Sequence, residues 1–256
     1  MKKTMMTLAL TALAALAAAQ GNFTLKLGLA LPQGKFGEGD DNGAWALMDD
    51  DKEGGAGLGF NFGGTYKFKM DGVEGLSIVA GFDLFYNTLN SDTKEFVEEI
   101  EDIRDTAYSD YSVSWPHYIN LPITLGANYT VPLSRSVALY GEAALGLNLR
   151  FITPYEEEVT YKSNSYNYQY YGFKESEYEQ NYNVATTFAF RLAAGLTFNE
   201  RYSLEVGYYA LGAAKVKSDD SAKVRFVDGT SDSYDDKFKG RKVNPTQLTL
   251  RLGISF

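Results

Sequence analysis

The sequence contains no cysteine and only one histidine, and each scarcity excludes some chemistry. Without cysteine the chain can have no disulfide framework, no lipoprotein anchor and no thiolate metal site. His117 is therefore the one imidazole available to a general acid or general base. No motif for a cofactor or a metal ion occurs in a setting that would support it, so neither is expected.

Long apolar runs are equally scarce. The one near the N-terminus follows Lys2 and Lys3, covers residues 4–19 and ends in three alanines. It is shorter than the roughly 20 residues of a membrane-spanning helix, and it has the form of a secretory signal peptide. The sequence thus predicts a cleaved signal peptide at 1–19 and one exported domain at 20–256. No other apolar run is long enough for a helical membrane protein.

The exported part shows alternation with a period of two, which indicates β-strands with one apolar face. Between Phe23 and Leu31, for example, every odd residue is apolar. The same pattern recurs in seven further segments. The eight predicted strands are 23–31, 56–68, 76–86, 119–131, 137–151, 184–198, 202–210 and 246–256.

The two faces of these strands indicate a transmembrane barrel. The apolar face carries no charged residue in any of the eight strands, as lipid contact requires. The other face is rich in glycine and alanine, which suits the narrow lumen of an eight-stranded barrel. The predicted fold is an all-β, up-and-down, antiparallel transmembrane β-barrel. Short turns near 70–75, 132–136 and 199–201 alternate with four long loops, at 33–54, 88–117, 153–183 and 213–244.

The chain ends within the last strand, in Leu250, Leu252, Ile254 and a terminal Phe256. Here it resembles the family of small outer-membrane β-barrels, the OmpA- and OmpX-like group and related porin-family barrels. The resemblance implies a Gram-negative outer membrane, periplasmic turns and extracellular loops. It also implies that these four residues are an assembly signal, used by periplasmic chaperones and the barrel assembly machinery. Ile254 departs from the pattern, because an aromatic residue is common there.

The lumen face carries three basic and three acidic residues near mid-strand. They are Lys26, Arg191 and Arg251, and Asp83, Glu142 and Glu205. Charges in so confined a space must pair, because an unpaired one is costly. We interpret the six as a network that plugs the lumen. A narrow gated channel for small solutes is the alternative.

An enzyme is a further alternative, because His117 lies near Ser112 and Ser114. No G-x-S-x-G motif or other nucleophile setting accompanies them, so no catalytic residue is predicted. We expect His117 to be a packing residue at the membrane interface, beside Trp115.

The long loops hold the features specific to this chain. The first three are net acidic and could bind divalent cations that bridge to lipopolysaccharide. In the fourth, Lys237, Lys239, Arg241 and Lys242 could contact lipopolysaccharide phosphates directly. The third loop contains eight tyrosines and predicts either a partner-binding surface or a stiff extension of its strands.

The leading function is therefore a non-enzymatic outer-membrane barrel with a structural, adhesive or surface-interaction role. Its expected partners are outer-membrane lipids, lipopolysaccharide and an extracellular molecule, with no nucleic acid.

Overall fold

The structure is a computed structural model that describes residues 23–38, 54–90, 108–238 and 242–256. The predicted signal peptide at 1–19 lies outside these ranges, and its cleavage stays a prediction. Within the described ranges no helix has the length and apolar character to cross a membrane.

Extended backbone dominates the described residues. The strands are β1 Phe23–Pro32, β2 Ala56–Lys69, β3 Leu76–Leu89, β4 Tyr108–Ser114, β5 Tyr118–Pro132, β6 Val137–Ile152, β7 Tyr155–Tyr161, β8 Phe173–Tyr182, β9 Ala185–Phe198, β10 Tyr202–Ala210, β11 Ala214–Lys215, β12 Ser218–Phe226, β13 Ser231–Phe238, β14 Lys242–Val243 and β15 Thr246–Ser255. A helix, α1, spans Tyr166–Tyr171, and a short 3-10 helix spans Gly34–Phe36.

Eight strands form a closed barrel in the order β1-β15-β10-β9-β6-β5-β3-β2. All eight pairings are antiparallel, and β1 pairs with both β2 and β15. Closure leaves no free strand edge, which is what a bilayer demands of a β-structure. The predicted eight-stranded up-and-down barrel is confirmed, with strand ends within three residues of those predicted.

The barrel presents its apolar face outward. Leu125, Leu145 and Phe188 are 62%, 66% and 83% exposed, whereas Asn128 and Arg191, on the lumen face of the same wall, are fully buried. A band of exposed leucine and phenylalanine is unfavourable in water and favourable in lipid.

Short turns close one end of the barrel, as predicted. The tightest contains Asn199 and Glu200, both with positive φ (49° and 57°). Arg201 N–H donates to the Phe198 carbonyl oxygen across it, 3.0 Å away. Positive φ at both central residues is the geometry that matches the twist of adjacent strands in a hairpin.

At the other end, five barrel strands continue into a second sheet. The strands of this second sheet are ordered β13-β12-β8-β7-β4. The barrel strands to which they are connected along the chain stand in the same order, β15-β10-β9-β6-β5. Proline lies in three of the breaks between the sheets, as Pro116, Pro154 and Pro245, where its missing N–H interrupts the ladder. We call the strands β4, β7, β8, β12 and β13 the projecting sheet. From the sequence, all of these residues were predicted to lie in loops. An extension of the strands was predicted only as one alternative for the third loop.

Candidate functional site

The six lumen charges converge on Glu205 of β10. Lys26 Nζ donates to Glu205 Oε2 at 2.5 Å, and Arg191 Nη2 donates to Glu205 Oε1 at 3.1 Å. Arg251 also donates to Glu205 Oε1. None of these four side chains is more than 3% exposed. One carboxylate thus holds three cations out of contact with water.

The other two carboxylates, those of Glu142 and Asp83, are joined to this cluster by the two arginines. Arg191 Nη1 lies 2.8 Å from Glu142 Oε1 as an ion pair, and Arg251 Nη1 donates to Asp83 Oδ1 at 2.6 Å. Each guanidinium therefore bridges Glu205 to a second acid. All six predicted residues lie in one connected set, which we call the lumen network. Its three positive and three negative charges balance, as burial of charge requires.

Two tyrosines that were not predicted from the sequence complete this network. Tyr140 Oη donates to Glu205 Oε2 and Tyr209 Oη donates to Asp83 Oδ2, each at 2.8 Å. Lys67, also missed, holds its Nζ 4.7 Å from the centre of the Tyr140 ring. All three are on the lumen-facing parity of their strands. That parity is the sequence signal that could have identified them, but the predicted set contained only charged residues near mid-strand.

An apolar layer lies next to the network, toward the long-loop end. The Phe85 and Tyr209 rings meet edge to face at 4.7 Å, and Ala30, Ala189 and Leu211 pack with them. All five are buried.

Beyond that layer, Arg150 is buried among main-chain oxygens. Its guanidinium donates to the Gly212 carbonyl at 2.6 Å and to the Val243 carbonyl at 2.8 Å. Gly212 directly precedes the fourth loop, and Val243 lies at the other end of it. Arg150 thereby holds both ends of that loop against the barrel wall. Arg150 was not among the predicted lumen charges, because it lies near a strand end and not near mid-strand.

A second apolar cluster covers the mouth at the long-loop end. It comprises Phe36, Ala56, Tyr118, Ile152, Val216 and Val243. The Phe36 and Tyr118 rings are 5.1 Å apart, and Tyr118 Oη donates to the Gly54 carbonyl at 2.6 Å. The bases of the first and fourth loops therefore pack together above Arg150.

His117 lies where the projecting sheet joins β5. Its ring centre is 5.4 Å from that of Tyr86, and its backbone N–H donates to Thr153 Oγ1 at 2.8 Å. Ser112 and Ser114 lie on β4, paired across the strands with two glutamates of β7. Among the described residues there is no group of three or more acidic or histidine side chains placed to hold a metal ion.

The C-terminal residues lie where the barrel closes. Phe256 N–H donates to the Phe23 carbonyl at 2.9 Å, which joins the last residue to the first barrel strand. Leu250 and Leu252 are 47% and 67% exposed on the outer face, and Ile254 is half-buried between them and Phe256.

The basic residues of the fourth loop were expected to contact lipopolysaccharide. Lys237 is exposed on the projecting sheet, with Nζ 3.8 Å from Asp219 Oδ1, and Lys242 is exposed on β14. Lys239 and Arg241 lie outside the described residues.

The projecting sheet has one acidic face and one aromatic face. On the acidic face Glu156 stands opposite Glu179, and Glu158 opposite Glu177. On the other face Tyr178 Oη donates to Asp220 Oδ2 at 3.1 Å. Burial, and then the negative charge of Asp220, raises the pKa of Tyr178 to about 12.

Comparison with known proteins agrees with this architecture. The family model for the outer membrane protein beta-barrel domain matches residues 5–256. Ail, the attachment invasion locus protein of Yersinia pestis, is similar in structure, with 13% identity, a TM-score of 0.36, and coverage of 92% of this chain and 99% of that one. OprG from Pseudomonas aeruginosa gives 14% identity, a TM-score of 0.37, and coverage of 92% and 96%.

A major outer membrane protein from Thermus thermophilus gives 12% identity, a TM-score of 0.45, and coverage of 93% and 100%. No curated protein matches the chain. Because the family model spans nearly the whole sequence, this chain belongs to the outer membrane protein beta-barrel domain family and resides in the bacterial outer membrane.

Proposed function

We propose that this protein is a non-enzymatic surface-interaction protein, in which a closed barrel anchors the projecting sheet outside the cell. The observation that carries the proposal is the shared strand order of the two sheets. Because five strands leave the barrel side by side and pair again in the same order, the projecting sheet is held at five points along the rim. A binding surface mounted in this way is ordered before it meets a partner, which lowers the entropic cost of binding.

The filled lumen supports an anchor rather than a channel. A solute would have to pass the lumen network, the Phe85–Tyr209 layer and the cluster around Phe36. Separating buried ion pairs leaves unpaired charges, which costs several kcal/mol per ion. We therefore expect no steady conductance in a planar bilayer. Large, stable single-channel currents from purified wild-type protein would favour the narrow channel instead.

The anchor proposal is tested by removing the projecting sheet alone. Residues 108–114, 155–182 and 218–238 would each be replaced by a short glycine-serine connection, which leaves every barrel strand intact. Heat-modifiable migration on a gel would show that the shortened barrel still folds. We expect bacteria that carry the wild-type protein to attach to host-cell or abiotic surfaces better than bacteria that carry the shortened form. Equal attachment would overturn the proposal.

Two kinds of contact with the cell envelope belong to the same proposal. Lys237 and Lys242 are exposed and available to lipopolysaccharide phosphates. Phe256, with the apolar residues before it, would guide assembly by the barrel assembly machinery.

An enzymatic role for His117 would be detected by comparing wild-type and His117→Ala protein on phospholipid and peptide substrates, where we expect no activity from either.

A further inference from the structure

The outer end of the projecting sheet carries a compact set of exposed aromatic rings. Helix α1 connects β7 to β8, and its Tyr166, Tyr170 and Tyr171 are 64%, 70% and 51% exposed. The Tyr166 and Tyr170 rings are nearly parallel, 5.0 Å apart, and the Tyr171 ring stands edge-on to Tyr170 at 5.0 Å. We call these residues the three-tyrosine platform.

The platform is held rigidly. Ser165 caps the helix by accepting a hydrogen bond from Tyr168 N–H at 3.2 Å, and Gly172 ends it with a φ of 70°. The Gly172 carbonyl accepts a hydrogen bond from Val227 N–H at 2.9 Å, which ties the helix to the β12–β13 turn. Such an aromatic surface needs little ordering when it binds a ligand.

Lipid of the protein's own membrane does not cover these rings. The ten residues of β8 separate the platform from the barrel rim, a span of up to about 33 Å at roughly 3.3 Å per residue. Exposed aromatic rings at that distance from the bilayer mark a contact surface for something else.

The chemistry around the rings identifies the class of ligand. Residues 163–172 contain only serine, asparagine, glutamine, tyrosine and glycine, with no charge. Two of the cations that border this segment, Lys174 and Arg225, both pair with Glu175, at 3.3 and 2.9 Å. The segment itself therefore offers a sulfated or phosphorylated group no charged partner, whereas it offers phenols and amides to hydroxyl groups.

The size of the platform also distinguishes the candidates. With roughly 150 to 250 Å² for each aromatic side chain, the three exposed portions total on the order of 400 Å². A stable protein interface needs about 800 Å² on each partner. One or two sugar rings need less, and their C–H faces stack on aromatic rings while their hydroxyls bond to phenols and amides. We propose that the three-tyrosine platform binds a neutral saccharide; the proposal rests on the surface-interaction function above.

Binding of the purified, full-length protein to immobilised oligosaccharides would test this. The probes are neutral glucans, galactans and N-acetylhexosamine oligomers, each with a sulfated counterpart. We expect at least one neutral probe to bind more tightly than its sulfated counterpart. The Tyr166→Ala/Tyr170→Ala variant should bind that probe at least about tenfold more weakly. Tyr234→Ala is the matched control, because Tyr234 is 65% exposed but lies on β13, and it should bind as wild type does.

Tyr170→Phe keeps the ring and removes only the hydroxyl, so it should fall between wild type and the double variant. Heat-modifiable migration would show that every variant folds. No binding of any neutral probe, a preference for sulfated probes, or equal binding by the double variant would overturn the proposal. If no neutral probe binds but bacteria that carry the wild-type protein still attach better than those with the shortened barrel, the saccharide proposal fails and the surface-interaction function stands. If the shortened barrel also attaches normally, both fail.

Discussion

Arg191 and Glu205 form an ion pair across neighbouring strands although they are not cross-strand partners. The register sets Arg191 opposite Tyr209 and Glu205 opposite Gly195. The Arg191 guanidinium nevertheless reaches past Tyr209 to Glu205 Oε1 at 3.1 Å. Gly207 lies between Glu205 and Tyr209 on β10, and a Cβ atom there would come within 2.7 Å of Thr249 Oγ1 and 3.6 Å of Glu205 Oε1. A long side chain on one strand thus reaches along the barrel axis, beyond its cross-strand partner, to an acid on the next strand.

Removing Arg191 should destabilise the barrel. Arg191→Ala removes the cation that pairs with Glu142 and one of the three cations that pair with Glu205. We therefore expect the free energy of unfolding to fall by about 3 to 5 kcal/mol. Adding Glu142→Gln should recover part of the loss, because the penalty belongs to the unpaired carboxylate. Urea titration of the folded, heat-modifiable form measures both. Arg135→Ala, in an exposed turn, is the matched control. An Arg191→Ala barrel as stable as this control would contradict the buried network.

Removing Arg150 should loosen the fourth loop without unfolding the barrel. Arg150→Met loses the hydrogen bonds to the Gly212 and Val243 carbonyls but keeps an apolar side chain of similar length. Chymotrypsin should then cut faster near Phe226 and Tyr234, because transient release of the loop exposes its backbone. Arg225→Met, on the exposed part of the same loop, is the control. The same cleavage rate in both variants would mean that Arg150 does not hold the loop.

Deleting Phe256 should impair assembly. The deletion removes the hydrogen bond to the Phe23 carbonyl and the terminal aromatic residue expected to be an assembly signal. Periplasmic, protease-sensitive protein should accumulate in place of the heat-modifiable form. Phe198→Ala, which removes another ring at the short-turn end, should assemble normally. Normal amounts of folded protein after the deletion would argue against an assembly role for this residue.

The Tyr178 phenol should ionise late. Its pKa is raised from 10.0 to about 12 by burial and by Asp220, so the folded state favours the neutral form. The stability that it contributes is complete below about pH 10 and is lost as the pH rises through 12. The ultraviolet absorbance of the phenolate, as a difference between wild type and Tyr178→Phe, reports this titration. Asp220→Asn should shift the titration of Tyr178 to lower pH. The same titration in wild type and in Asp220→Asn would disprove the contact.

The barrel could be predicted from the sequence because a membrane places the same requirement on every outward position. Each outward residue must be apolar. The uncharged face that includes Leu125, Leu145 and Phe188 therefore indicates where each strand lies, which of its sides faces lipid and how long it is. The six mid-strand charges were found by the same parity. The same parity holds for Arg150, Tyr140 and Tyr209. No local sequence pattern, however, shows whether a lumen side chain contacts a partner on another strand.

The sequence by itself determined that eight strands alternate between lipid and lumen, since that alternation is a local property of each strand. Only the tertiary structure decided which charges meet, because Lys26 and Glu205 lie 179 positions apart and come together only when the barrel closes. It also decided that three long loops form one sheet. The strands of that sheet lie in water, where neither face has to be uniformly apolar. Glu157 and Asp220 stand among the aromatic residues of one face, so the alternation is too incomplete to mark the strands in the sequence.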